Sequence, residues 1–313
     1  MNHSQKILLL GSCFTDHIGD RLKELKFSIC QNPHGIIYDP FSINRCIKHF
    51  AEAKKFTHTD LVLHNELWHS WDHHSSYSGP DPLEVIDGMN SSVESASKFI
   101  QEAEWIIITL GSSYAYQLTG NGQYVANCHK APAGWFQKQL ISINDSIEAL
   151  QGALNSLQKL YAGIKIILTV SPVRHVKDGI TENNRSKARL IEVVHQLASN
   201  NNNVFYFPAF ELAIDVLRDY RFYKEDMVHP NHLAINYIFE KFSEVFFEKP
   251  TQELNAEIEN ILIAKNHKAF HPRSEAHQNF LRNQIDKAQQ LCKRHPSLDL
   301  SAEINYFEEN LLS

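Results

Sequence analysis

Lys6-Ile7-Leu8-Leu9-Leu10-Gly11-Ser12-Cys13-Phe14-Thr15-Asp16 is the stretch on which the fold turns. Lys6–Leu10 is a short apolar run and reads as a buried strand. Gly11 permits a tight turn. Beyond it Ile18, Leu22 and Leu25 recur at i, i+4 and i+7, which predicts a helix over Asp16–Leu25. A strand that passes through a glycine into a helix opens a βαβ unit. In a parallel sheet ligands bind beyond the carboxyl ends of the strands, so Ser12 and Cys13 stand where chemistry is expected. A cysteine at a helix N-terminus is expected to have a depressed pKa, because the helix dipole favours the thiolate. The other reading is a small buried thiol under a helix start. Spacing alone leaves both open.

The same rhythm continues outward. Phe27–Cys30 reads as a weaker second strand. Trp105–Leu110 (WIIITL) and Lys165–Val170 (KIILTV) are fully apolar and rich in β-branched residues, as central parallel strands require. Ile143–Leu160 carries Ile143, Ile147, Leu150, Leu154 and Leu157 on one helical face. A helix is expected from about Ser186 to Ala198, a last strand at Val204–Phe207 and a closing helix at Leu233–Phe247. Right-handed crossovers between such strands give a parallel sheet covered on both faces. Two stretches break the pattern. Leu61–Ser78 is too rich in His, Ser and Trp for a plain helix, and Tyr114–Ala126, with Gly120-Asn121-Gly122 at its middle, reads as a β-hairpin. After Pro250 the apolar content falls, and Pro272 and Pro296 punctuate three helices. The expected organisation is one α/β domain over 1–249 and a helical extension over 250–313.

Composition narrows the class. The chain has 313 residues, 43% hydrophobic and 21% charged, enough to bury a large core without disulfide or metal. A net charge of −6 offers no basic field for nucleic acid. Only Ile7–Leu10 follow the polar opening as strongly apolar residues, so no secretory leader is expected, and no apolar run approaches membrane-spanning length. The five cysteines (Cys13, Cys30, Cys46, Cys128, Cys292) are scattered, without a CxxC pair, and read as reduced thiols. The expectation is a cytoplasmic protein that binds neither nucleic acid nor membrane; the sequence does not give its oligomeric state.

The block KILLLGSCFT at 6–15 resembles the first block of SGNH hydrolases, in which a strand runs into Gly-Asp-Ser-Leu and the serine is the nucleophile. Laid on that pattern, Ser12 falls at the aspartate position and Cys13 at the nucleophile; Ser12, which fits the pattern less well, is the second candidate nucleophile. The fuller resemblance is to the GSCFA family, a bacterial group named for this turn; Thr15 stands in place of its alanine. NPHGIIYDPFSI at 32–43, WHSWDHHSSYS at 68–78, TLGSSY at 109–114, NCHK at 127–130, TVSPVRHVKDG at 169–179, ENNRSKA at 182–188, DMVHPN at 226–231 and FHPRSEAHQNFL at 270–281 carry it along nearly the whole chain. The resemblance implies a three-layer α/β/α, SGNH-hydrolase-like (flavodoxin-like) parallel sheet with a C-terminal helical extension. It also implies an acyl-transfer enzyme (esterase, thioesterase or O-acyltransferase) acting on a small acyl ester or acylated sugar.

Asp226-Met227-Val228-His229 precedes the closing helix. A carboxylate three residues before a histidine can hold one ring nitrogen and leave the other for a nucleophile; the plainer reading is an Asp cap for the helix. By resemblance to the D-x-x-H of SGNH hydrolases, His229 is the general base and Asp226 its orienter. The Cys13 amide is one oxyanion donor, and the SGNH pattern puts a second at Gly35, otherwise a turn residue. A third donor is usually an asparagine in a Gly-x-Asn segment; here Gly111-Ser112-Ser113 places Ser113 there, with a shorter side chain. Arg174 and His175 follow the Lys165–Val170 strand at the same sheet edge, and Arg174 suits a substrate carboxylate or phosphate, or else a structural ion pair. His69, His73, His74, Asp72 and His129 form a histidine-rich group, with His74 and His129 as substrate-binding candidates. Metal binding there is a lesser reading, because no helical ligand spacing occurs and His73 and His74 point apart in an extended segment. Trp68, Trp71, Tyr77 and Trp135 suit either a sugar face or the core. No cofactor and no metal are expected. The rivals to the acyl-transfer reading are a non-catalytic or carbohydrate-binding relative and a metal-dependent hydrolase.

Overall fold

The structure, a computed structural model, describes residues 1–312. The chain forms two compact units: Lys6–Asp20 with Ile29–Glu240, and Met1–Gln5 with Arg21–Ser28 and Lys241–Ser313. The first elements are β1 (Lys6–Gly11), α1 (Cys13–Glu24), β2 (Ser28–Gln31), α2 (Pro40–Ala51), β3 (Val62–His64), β4 (Leu67–His69), α3 (Pro82–Ile100) and β5 (Ala103–Leu110). There follow β6 (Tyr114–Leu118), β7 (Tyr124–Val125), β8 (Phe136–Leu140), α4 (Ile143–Leu160), β9 (Lys165–Val170), α5 (Ile180–Asn200), β10 (Val204–Phe207) and a short α6 (Ala209–Glu211). The last are α7 (His232–Phe246), α8 (Lys249–Asn266), α9 (Glu275–Arg294) and α10 (Ser301–Glu309).

The central sheet has the order β10-β9-β5-β1-β2. β1 with β5, β5 with β9 and β9 with β10 all pair in parallel. Numbered within the sheet alone, this is the 2-1-3-4-5 flavodoxin-like order. The winding reverses between β1 and β5, and a crevice opens above that switch point. Leu8 and Leu10 of β1, Ile106, Ile108 and Leu110 of β5, and Ile166, Leu168 and Val170 of β9 pack with α2, α3, α4 and α5 in one core. The alternate residues Ile7, Leu9, Ile107 and Ile167 are buried as well, so both sheet faces are covered. Each such side chain contributes roughly 1.5–3 kcal/mol through burial.

The two irregular stretches form small sheets. β3 and β4 make an antiparallel pair, Val62 opposite His69. The expected hairpin is β6–β7, but its sheet has a third strand, β8, on the other side of β6. α5 begins at Ile180, six residues earlier than its apolar stripe suggested, after Gly179 at φ +91°. Both helices on Asp-Pro starts, α2 and α3, are capped by the aspartate: Asp39 accepts from the Phe41 and Ser42 amides, Asp81 from that of Leu83.

In the second unit α8, α9 and α10 are the three helices expected after Pro250. Leu254, Ile258, Ile261, Leu281, Ile285, Leu291 and Phe307 are buried along them. Residues from the start of the chain belong here too. Arg21 pairs with Glu259 at 2.8 Å, Lys26 with the buried Glu303 at 2.8 Å, and Phe27 stacks on His3 and Phe247. Among the described residues no helix is long and apolar enough to cross a membrane.

Candidate functional site

β1 ends pressed against β5. Gly11 has φ +145°, and a Cβ there would lie 2.3 Å from the Thr109 carbonyl oxygen, so only glycine fits. The Ser12 N–H then donates to that same oxygen at 3.2 Å. Ser12 closes the helix start: its carbonyl accepts from the Thr15 amide at 2.8 Å and its hydroxyl from the Phe14 amide at 3.3 Å. Ser12 is only 3% exposed, so of the two candidate nucleophiles it is the one spent on capping. Cys13 is half-buried and, with Ser12, Tyr38, Val173, Arg174, His175, Lys177, Val228 and His229, lines a cavity of about 340 Å³.

The electrostatics of Cys13 overturn one expectation. Its pKa is raised, not depressed: burial is the largest cause, and the Asp16 carboxylate adds to it. Its own N–H, Lys187 and Lys224 pull the other way without winning. Asp16 is fixed there, accepting from Asn32 Nδ2 at 2.8 Å and Gln31 Nε2 at 2.9 Å, while Asn32 Oδ1 accepts the Gly11 N–H at 2.9 Å. The dipole of one helix is outweighed by desolvation and a carboxylate three residues on.

On the opposite wall, His229 Nδ1 bonds Asp226 Oδ2 at 2.7 Å. The other carboxylate oxygen accepts the Val228 and His229 amides at 2.8 and 3.0 Å. These amide bonds first, then the imidazole, hold the Asp226 carboxyl well below the usual carboxylate range. A carboxylate on Nδ1 selects the tautomer whose Nε2 is a free acceptor. Asp226 does not cap α7; Asn231 does, its Oδ1 accepting from the Leu233 and Ala234 amides. The Arg174 N–H donates to the Val228 carbonyl at 3.2 Å, tying this loop to the segment after β9. Cys13 and His229 share the cavity without a direct hydrogen bond between them.

The other expected oxyanion donors are committed elsewhere. The Gly35 N–H donates to the Asn32 carbonyl at 2.7 Å in a turn, with φ +73°. Ser113 is fully buried, its hydroxyl donating to the Ser186 carbonyl at 3.1 Å and its amide to Ser186 Oγ at 2.8 Å. The Gly111 N–H goes to the Tyr38 carbonyl at 2.9 Å. None of the three lines the Cys13 cavity.

Arg174 and His175 do reach the cavity. Arg174 lies over the Tyr223 ring at 4.2 Å and has no carboxylate partner among the described residues, so cation–π stacking stands where a structural ion pair was the alternative. Burial, with the nearby Lys187 and Lys138 charges, pushes the His175 pKa down to about 4. His74 and His129 do not line this cavity. His74 Nδ1 bonds Ser76 Oγ at 3.1 Å; His129 Nε2 donates to the Ser70 carbonyl at 2.7 Å, and its Nδ1 meets Ser75 Oγ at 3.1 Å. His34, His49 and His73 form a buried group: His34 Nε2 meets His49 Nδ1 at 3.1 Å, and the His34 and His73 rings lie 4.0 Å apart. Asp72 pairs instead with Arg45 at 2.6 Å. Among the described residues no three His, Cys, Asp or Glu side chains are placed to hold a metal ion. Trp68 packs on His58 and Trp71 on Phe136, away from the Cys13 cavity.

Two residues of the site were not singled out from the sequence. Tyr38 forms one wall, and burial drives its phenol pKa up. Lys187 is buried at 1% exposure, its Nζ donating at 2.7 Å to both the Gly111 and Ser171 carbonyls, at the ends of β5 and β9. The signal for it was present: a lysine on the buried stripe Asn183, Ser186, Lys187, Leu190, Val194, Leu197 of a helix.

A sheet of flavodoxin-like order with a cysteine at its switch point and an Asp–His pair lining the same crevice defines an α/β protein whose first turn carries a thiol. The chain belongs to the GSCFA family: that family's model matches residues 6–242, and the model of the GSCFA domain protein, C-terminal domain, matches residues 258–313. No curated protein matches the chain. Among solved structures, a carbohydrate esterase family 3 protein from Talaromyces cellulolyticus is similar at 11% identity and TM-score 0.38, covering 80% of this chain and 99% of that one. A Streptococcus pneumonia protein provisionally described as a platelet activating factor is similar at 13% identity and TM-score 0.38, covering 76% and 83%.

Proposed function

We propose that the protein transfers acyl groups from esters or thioesters through Cys13. The observation that carries this reading is the convergence on one cavity of a half-buried thiol and an imidazole whose far nitrogen is held by a carboxylate. In the first step His229 Nε2 takes the thiol proton, sulfur bonds the acyl carbon, and the carbonyl electron pair moves to oxygen, where the Cys13 N–H meets it. The intermediate collapses, and the leaving alkoxide or thiolate takes the proton from His229. Water or a hydroxyl acceptor then attacks the thioester, His229 again accepting the proton, and Cys13 is released. Because the thiol pKa is raised, proton transfer to His229 belongs with the attack and does not precede it. Arg174, a cation without a carboxylate, would orient a substrate carrying a carboxylate or phosphate.

The test is turnover of short-chain acyl esters, acyl thioesters and O-acetylated sugars. Cys13→Ala and His229→Ala should each abolish it with the melting temperature unchanged, whereas Ser12→Ala should retain chemistry and lose about 1 kcal/mol of stability with the cap. Full turnover in Cys13→Ala, or loss confined to Ser12→Ala, would overturn the assignment. One observation favours a second reading, a binding module: Gly35 and Ser113 leave the oxyanion with the Cys13 amide as its one donor among the expected set. Binding of acylated sugars without turnover, with Cys13 alkylated no faster than Cys46 or Cys292, would establish that reading instead.

A further inference from the structure

Lys187 is the least expected charge in the molecule. An ammonium buried to 1% exposure needs both hydrogen-bond partners and a counter-charge, since desolvating an unpaired cation is costly. The ammonium has three N–H donors. Two go to the Gly111 and Ser171 carbonyls at 2.7 Å, and the Phe210 ring lies 5.8 Å from Nζ. Among the described residues no carboxylate forms an ion pair with it. Cys13 stands at the same carboxyl edge of the sheet: Gly11 pairs with Thr109 on β5, the Ser12 N–H donates to the Thr109 carbonyl, and the Gly111 carbonyl that holds Lys187 lies two residues further along the chain. A thiolate there and the ammonium favour each other's charged form. The chain thus holds a buried cation at the ends of β5 and β9, beside the turn that carries the thiol.

The geometry points to Lys187 as the buried counter-charge of the Cys13 thiolate, a positioning residue that stabilises the sulfur anion when His229 removes its proton and again when the acyl-enzyme breaks down. This rests on Cys13 being the nucleophile. The thiol's own proton passes from sulfur to His229 Nε2 and not to Lys187. The same electrostatics explain how the thiol works although burial and Asp16 oppose its ionisation: Lys187 and Lys224 together are the charges that favour it. Tyr38, Arg174, His175, Lys177 and His229 are the other titratable or charged side chains around the cavity, and His175, being buried beside the Lys187 charge, stays neutral near pH 7. Burial lowers the Lys187 pKa to about 7, so the cation is gained most readily when the anion beside it is present.

The experiment is the pH dependence of Cys13 alkylation by iodoacetamide, followed by mass spectrometry of the Cys13 peptide, in the wild type and in Lys187→Met and Lys187→Arg. Methionine keeps the buried stem and removes the charge; arginine keeps the charge. In Lys187→Met the midpoint should rise by about one pH unit or more and labelling near neutrality should slow by about tenfold, while Lys187→Arg keeps most of the wild-type rate. A role confined to bracing the β5 and β9 carbonyls would lower the melting temperature and leave the midpoint where it was, which overturns the proposal. If Lys187→Met does not fold, the coupling is read from the other partner. In protein carrying 13Cε-lysine, Cys13→Ala should lower the Lys187 midpoint seen by NMR, because linkage is reciprocal; an unchanged midpoint overturns the proposal equally. Alkylation is independent of acyl turnover, so a shifted midpoint in a protein that turns over no acyl substrate would sink the proposed function and leave this inference standing.

Discussion

Replacing Gly11 by alanine tests the placement of the whole site. The added methyl carbon would lie 2.3 Å from the Thr109 carbonyl oxygen and 2.8 Å from Thr109 Cβ, and φ at this position is +145°. The obstacle is backbone of the neighbouring central strand, so no side chain can swing away to relieve it. The conformation alone costs about 1–3 kcal/mol for a residue with a Cβ. Overpacking adds about 1–3 kcal/mol. The reduced entropy of the unfolded chain gives back about 0.4–1 kcal/mol. The balance is a destabilisation of about 3 kcal/mol, or a fall of about 6–12 °C in Tm for a unit of this size. Urea unfolding followed by circular dichroism reads it directly. Gly120→Ala is the control: nothing lies within 4 Å of a Cβ there, and its stability should stay within about 0.5 kcal/mol of wild type. A Gly11→Ala protein as stable as the control would refute the close approach of β1 to β5 on which the position of Cys13 depends.

Two more predictions follow from the titrating groups. Asp226→Asn should lower kcat/KM by about 10²–10⁴-fold, since an amide can hold His229 in the wrong tautomer; its folded carboxyl lies far below the ordinary range, so its hold on His229 is complete above that range and is lost only in strong acid, and no inflection of the wild-type pH–rate profile between about pH 3 and 9 should be assignable to Asp226. The buried imidazoles make the protein acid-sensitive in the opposite sense to a salt-bridged histidine: burial pushes His49 to about 4 and His73 to about 3, with His34 also well below 6.5. Below about 6.5 the unfolded chain therefore binds more protons than the folded one, and stability, complete above that pH, should decline by up to about 1.4 kcal/mol per pH unit for each such ring as pH falls toward 4. Equal urea midpoints at about pH 7.5 and 5 would contradict this.

Much of this was legible in the chain. β1, β5 and β9 announced themselves as apolar runs because parallel central strands are buried on both faces. α2 and α3 could have been found from Asp39-Pro40 and Asp81-Pro82, an N-cap followed by proline at the first helical position. β8 was hidden because Phe136-Gln137-Lys138-Gln139-Leu140 is a polar, half-exposed strand held by main-chain bonds to β6. The site divides along similar lines. The helix start at Cys13 and the Asp226–His229 contact could be placed because both are local: a turn after a strand, and a carboxylate three residues from a ring. Ser113 is held by Ser186, a partner too distant in sequence for spacing to give, whereas the Gly35 N–H closes a local turn on Asn32, the other reading that the sequence left open. The thiol pKa went astray because burial and a fixed Asp16 outweigh the local dipole.

The composition of the second unit bears on how such a chain can be divided. Its helices α8–α10 close over residues 1–5 and 21–28, through Arg21–Glu259 and Lys26–Glu303 as well as the burial of Leu25 and Phe27. Ending the polypeptide after residue 249 would take Glu259 from Arg21, which keeps Glu24, and Glu303 from Lys26, and a peptide of 250–313 alone would lack the piece that completes it. Transplanting the tail onto another scaffold would accordingly require carrying two short N-terminal segments with it, so the evolutionary unit read along the sequence and the physical unit that folds are not the same set of residues.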